Sequence, residues 1–217
     1  MTRQGRELME MLDRGVEELL PEKGERQIVM NALDVFARKG LSAAKISDIA
    51  EKAGFSQGFV YNYFKSKDDI FTRIVSLAAD GAGETVRKAA VMPGTPYERV
   101  YWLTEALLCP ESIALQHWRL ILLQTATLEA VPPEAKRISR EKSGQPVAHM
   151  IPLLMEGQQA GLIIDADPLM LAVTFFSIIQ GVAIAMMQVS KAIPFPTPEL
   201  LLSFLRTAAC PPRPNDN

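Results

Sequence analysis

Between Ser56 and Lys67 the chain reads SQGFVYNYFKSK, and the side chains in it are of the kind that hold DNA. Gln57 and Asn62 each carry a donor and an acceptor side by side, the pattern that engages N6 and N7 of adenine in the major groove. The hydroxyls of Tyr61 and Tyr63 and the ammonium of Lys67 can reach phosphate oxygens. Gly58 lets a backbone approach closely, and Ser56 opens a helix whose first N–H groups point outward as anion donors. Lys45 and Ser47, at the start of the preceding helical pattern, complete the candidate set.

Two short helices must position these groups. Ile46, Ile49, Ala50 and Ala53 fall at i, i+3, i+4 and i+7, one apolar face, with Asp48, Glu51 and Lys52 elsewhere on the circumference. Gly54 ends that helix, since a residue without Cβ takes the positive φ that closes it, and Ser56 caps the next. There Val60 and Phe64, four apart, point to the core and leave Gln57, Gly58, Tyr61, Asn62 and Tyr63 outside. The spacing predicts a helix-turn-helix over residues 45–64.

The surroundings carry a family likeness. From Arg26 to Val75 the chain resembles the TetR family of bacterial repressors, through Ala32, Leu33 and Phe36, Lys39-Gly40-Leu41, Ile49-Ala50, Ala53-Gly54, Ser56, Tyr61-x-Tyr63-Phe64 and Lys65-x-Lys67. Three positions depart from the family pattern. Lys45 stands where Ser or Thr is common, Gln57 where Lys is frequent, and Phe59 where the residue is usually small or polar; Phe59 either packs inward or meets a thymine methyl. The resemblance implies an all-α protein: an N-terminal three-helix DNA-binding domain and a C-terminal helical domain for effector binding and dimerisation. We expect an extension with an extra helix over residues 1–21, the DNA-binding domain over 22–82, the C-terminal domain over 91–208 and a disordered tail over 209–217.

Composition agrees with two helical domains. The chain has 217 residues, 48% of them hydrophobic and 7% aromatic, enough for a substantial core. Net charge is only -2, but residues 22–73 hold nine Lys or Arg against seven Asp or Glu. A weakly basic part beside acidic flanks suits a few placed phosphate contacts rather than general polyanion binding. Cys109 and Cys210 match no metal or redox spacing, and MTRQGRELMEM lacks the apolar run of a secretory signal, so the expected compartment is the cytoplasm. Neither a metal site nor a catalytic constellation nor a phosphate loop is recognisable, so no cofactor and no enzymatic activity are expected.

Residues 168–190 contain no charge and are long enough to cross a bilayer. Gln180, Gln188, the lack of a second such segment and the likeness to soluble proteins point instead to a protein interface and no membrane partner. Ser177, Gly181 and Ala185 recur every four residues, a stripe along which another helix approaches closely. In the TetR family the last two long helices form a four-helix dimer interface. Residues 197–207, with Leu201 and Leu205 on their apolar face, are expected to supply the second.

Between these parts, VMPGTP at residues 91–96 breaks the chain after a long helix that starts near Lys67. Helices are then expected over 97–108, 112–130, 133–161, the last broken near Gly144-Gln145-Pro146 and Pro152, and 167–191. Tyr101, Trp102, Glu105, His117, Trp118, His149 and Phe175 are the candidate effector contacts, aromatic walls with a few polar groups for a small, largely apolar molecule. The expected partners are therefore operator DNA, a second copy of the chain and that effector. The alternative is a small-molecule-binding or interaction protein on the same fold without regulated DNA binding.

Overall fold

A computed structural model describes residues 1–109, 131–188 and 196–209. The protein is all-α: α1 (Arg3–Leu19), α2 (Lys23–Ala43), α3 (Ile46–Ala53), α4 (Gln57–Tyr61), α5 (Lys67–Ala90), α6 (Pro96–Leu108), α7 (Pro133–Lys142), α8 (Gln145–Gln159), α9 (Pro168–Gln188) and α10 (Pro198–Leu201), then a 3-10 turn at Ser203–Leu205. The described residues contain no strand beyond an isolated antiparallel bridge between Ile163 and Arg206.

The chain divides into two compact units. The first holds residues 13–81 and 131–143 of those described. Its core is built by Ile28, Val29, Ala32, Leu33 and Phe36 on one face of α2, met by Ile49 and Ala50 of α3, Val60, Phe64 and the start of α5. Phe36 and Phe71 meet edge to face at 5.7 Å, a favoured aromatic geometry. Gly40, at φ 72°, breaks the helical course of α2 and turns Leu41 into this core. Ala135 of α7 is fully buried against the same cluster, with Val131 and Ile138 packed beside it.

The second unit holds residues 1–12, 82–109 and 144–209 of those described. Leu8 and Leu12 of α1, Tyr97 to Leu103 of α6, Met150, Leu153 and Leu154 of α8, and Leu171, Ala172, Phe175 and Ile179 of α9 form its core. Thr95 opens α6 in a reciprocal cap: its hydroxyl accepts from the Glu98 N–H at 3.3 Å, and the Glu98 carboxylate accepts the Thr95 N–H at 2.8 Å. Before it, Gly94 has φ 143°, and a Cβ there would stand 2.4 Å from the Trp102 ring.

Two expectations about helices need correction. The break at Gly144 is present, but Pro152 lies inside a continuous α8. The helix expected over 197–207 does not form. It stops after four residues, because Leu202 leaves helical geometry at φ -93° and ψ 3° and the Ser203 hydroxyl donates to the Leu200 carbonyl at 2.8 Å. Beyond it the chain pairs with residues 161–164: the Ile164 N–H donates to the Leu205 carbonyl at 3.0 Å and the Thr207 hydroxyl to the Gly161 carbonyl at 2.6 Å.

Within α9, Pro168–Met186 is long and apolar enough to cross a membrane by length and composition. Leu171, Ala172, Phe175, Ile179 and Ala183 turn inward, while Met170, Val173, Ser177, Gly181 and Ile184 are exposed. One face thus fills the core of the unit, and the other is an apolar strip facing outward.

Candidate nucleic-acid interface

The turn between α3 and α4 is closed by local hydrogen bonds. Lys45 precedes α3 in extended geometry, and its N–H donates to the Asp48 carboxylate at 3.0 Å. Gly54 ends α3 at φ 71° and ψ 28°, and the Phe55 N–H reaches back to the Ala50 carbonyl at 2.9 Å. The Ser56 hydroxyl accepts the Phe59 N–H at 3.1 Å and so starts α4.

On α4, Val60 is buried and Phe64 follows it into the core, while Gln57, Gly58, Tyr61, Asn62 and Tyr63 are exposed together with Lys45 and Ser56; Ser47 is half-buried. Phe59 is half-buried, 4.3 Å from Phe55 and 5.4 Å from Tyr63 between ring centroids. Of the two roles open to it, it takes the inward one, as a packing step beneath Tyr63. Gly24, which the sequence did not single out, completes this support: a Cβ there would lie 2.6 Å from the Tyr63 hydroxyl and 3.2 Å from the Phe59 ring.

Lys67 has a different task from the phosphate contact expected of it. Its ammonium donates to the carbonyls of Leu41 and Ser42 at 2.8 Å and of Ala44 at 3.0 Å, which commits all three protons. It satisfies carbonyls at the end of α2 that no helical N–H reaches. Lys65, two residues before it, is exposed, as is Lys45.

A polar clasp joins α2 and α3. Lys52 and Arg38 both reach Asp34, Lys39 reaches Asp48 at 3.0 Å, and the Gln27 amide donates to the Ala53 carbonyl at 2.9 Å. The bond from Lys52 holds the Asp34 carboxyl below its ordinary range, and the bond from Lys39 does the same for Asp48. Because both folded values are depressed, the clasp contributes fully above the unfolded carboxylate range near about pH 4 and is lost as pH falls through the folded values. Thermal melts from pH 6 to 2.5 are expected to show a steeper fall for the parent than for Asp34→Asn, whose curve is already lowered at pH 6 and flatter below.

The candidate effector residues Tyr101, Trp102 and Glu105 all lie on α6. In the second unit Trp102 and Phe175 are core, at 3% and 1% exposure. The Tyr101 hydroxyl donates to Glu199 at 2.7 Å, and His149 is exposed with Nδ1 3.0 Å from the Gly83 carbonyl. The Glu105 carboxylate accepts two bonds from Thr2. His117 and Trp118 lie outside the described residues. Of the dimer candidates, Ser177 and Gly181 are exposed on α9, Ala185 and Leu201 are half-buried, and Leu205 is fully buried in the core of its own unit. Leu205 therefore has no face to offer a second subunit, for the same reason that the expected second helix does not form.

Residues 28–74, from the core face of α2 through the helix-turn-helix into α5, match the family of bacterial regulatory proteins called tetR. This segment is a TetR-family region. AcrR of Shigella flexneri, an HTH-type transcriptional regulator, is 36% identical over 73 residues, 33% of this chain and 34% of that protein. The chain thus spans about a third of the length of the first curated relatives it matches. The transcriptional repressor SCO4008 of Streptomyces coelicolor is 27% identical over 152 residues, 68% of this chain and 71% of that protein. Among solved structures, AibR in complex with isovaleryl coenzyme A and operator DNA has a TM-score of 0.63 at 19% identity and covers 83% of this chain and 95% of its own. The likeness to AibR shows that the two chains share one fold, the helical C-terminal part included. These relatives are regulators, not enzymes.

Proposed function

We propose that this chain is a ligand-responsive transcriptional repressor of the TetR family that binds a palindromic operator as a homodimer in the cytoplasm and leaves it when a small, largely apolar effector binds. The observation that carries the DNA part is the exposed surface of Gln57, Tyr61, Asn62 and Tyr63 on a capped α4 whose opposite side, Val60, is fully buried. Residues 22–82 serve as the DNA-binding domain and 91–208 as the effector and dimerisation domain, with the exposed strip of α9 as the contact between copies. Two α4 helices about 34 Å apart enter successive major grooves. An effector that favours another spacing lowers DNA affinity by its own differential affinity for the two states, and α5 is the lever between them.

Selection from genomic fragments followed by titration tests the reading. Asn62→Ala is expected to relax preference at one base pair by about 1–3 kcal/mol. Tyr61→Ala should weaken binding on every site while leaving the fold intact. Unchanged affinity and preference in both variants would remove this surface from the account.

A further inference from the structure

Among the described residues Glu105 is the one charged side chain that is buried, at 8% exposure. Its partners come from the residues that open α1. Thr2 donates its N–H to Oε1 at 2.8 Å and its hydroxyl to Oε2 at 2.5 Å, and the Met1 nitrogen lies 3.7 Å away. The same Thr2 hydroxyl accepts the Gly5 N–H at 3.0 Å, so the cap of α1 and the ligation of Glu105 are one arrangement. A Cβ on Gly5 would stand 2.3 Å from Glu105 Oε2, so this turn docks only because residue 5 has no side chain. Leu8 and Leu12 then carry the inner face of α1 into the core that contains Trp102.

Two further groups bear on what this arrangement does. Trp102 precedes Glu105 by three residues on α6 and shares its face, and its buried indole N–H has no hydrogen-bond partner. Gln4 Oε1, in the docked turn, is also buried without one. The docked turn therefore carries an unsatisfied acceptor, a cost that opposes docking. A carboxylate whose donors all come from one turn loses them together when that turn leaves. An ionised carboxylate is not tolerated alone in apolar surroundings, so other donors must replace those of Thr2.

We propose that Glu105, with the apolar surface beneath Leu8 and Leu12, is a binding site for an amphipathic ligand with an ammonium head, and that the first turn of α1 is its built-in competitor. The carboxylate favours a cation and repels a carboxylate or phosphate head. The proposal rests on the effector reading above and gives that effector a charge sign.

The test uses the full-length protein without DNA, so a chain that bound no operator would leave its outcome unchanged. Octylammonium and octanoate, equal in chain length and opposite in head charge, are titrated calorimetrically, with deuterium uptake followed over residues 1–8. Octylammonium is expected to bind the parent and raise that uptake, to bind Gly5→Val at least tenfold more tightly, and to bind Glu105→Gln at least tenfold more weakly. Octanoate is expected not to bind. Thr2→Val, which removes the hydroxyl donor alone, should tighten octylammonium binding in the same direction and serves if Gly5→Val does not fold. Octanoate binding as well as octylammonium, an unchanged affinity in the unlatched variant, or unchanged uptake over residues 1–8 on binding would overturn the proposal.

Discussion

Gly181→Leu is expected to turn the protein into a well-folded monomer. Gly181 is exposed on α9, and a Cβ at this position meets nothing within 4 Å in its own chain. Leucine therefore costs the subunit nothing in packing and gains up to about 1 kcal/mol of helix propensity. In a dimer joined along the Ser177-Gly181-Ala185 stripe, the same side chain is forced into the facing helix. Overpacking of about 1–3 kcal/mol per site, applied twice by symmetry, weakens association by about 30-fold to about 2.5 × 10⁴-fold. Sedimentation and thermal melting separate the two effects: monomers with an undiminished melting temperature are expected. A Gly181→Leu protein that remains a tight dimer places the interface elsewhere.

The second large effect distinguishes two lysines that look alike in the sequence. Lys67→Met removes three charge-assisted bonds to the end of α2 and is expected to destabilise the first unit by about 1.5–3 kcal/mol, read as a lowered urea midpoint. Lys65→Met should leave that midpoint alone and reduce the slope of log affinity against log salt by about 0.9, the loss of one phosphate contact. A Lys67→Met protein of parental stability with a flattened salt dependence would return Lys67 to the phosphate backbone.

The contrast shows where a sequence can be read and where it cannot. The helix-turn-helix is legible because its determinants are local: the apolar spacing of Ile46 to Ala53, a glycine at positive φ and a serine cap all lie within a dozen residues of one another. The work of Lys67 depends on carbonyls more than twenty residues away, which no local pattern reports. The clasp on Asp34 joins Arg38, one helical turn on, to Lys52 from another helix, a pairing that no local spacing reports.

In the C-terminal part the apolar period of residues 197–207 resembles that of an amphipathic helix. Leu202 and Leu205 are indeed buried, but pairing with residues 161–164 decides the backbone. For Glu105, residue type marked a polar group inside an apolar helix. Its partner, 103 residues earlier in the chain, is visible only in three dimensions.

The most direct test of the regulator reading is selection of DNA by the purified full-length protein, followed by footprinting and stoichiometry on the selected site. The account predicts two inverted half-sites with centres about one helical turn apart, two chains per duplex, and loss of the footprint in Tyr61→Ala. Recovery of no shared sequence, or a single unpaired site occupied by one chain and indifferent to Tyr61→Ala, would contradict it.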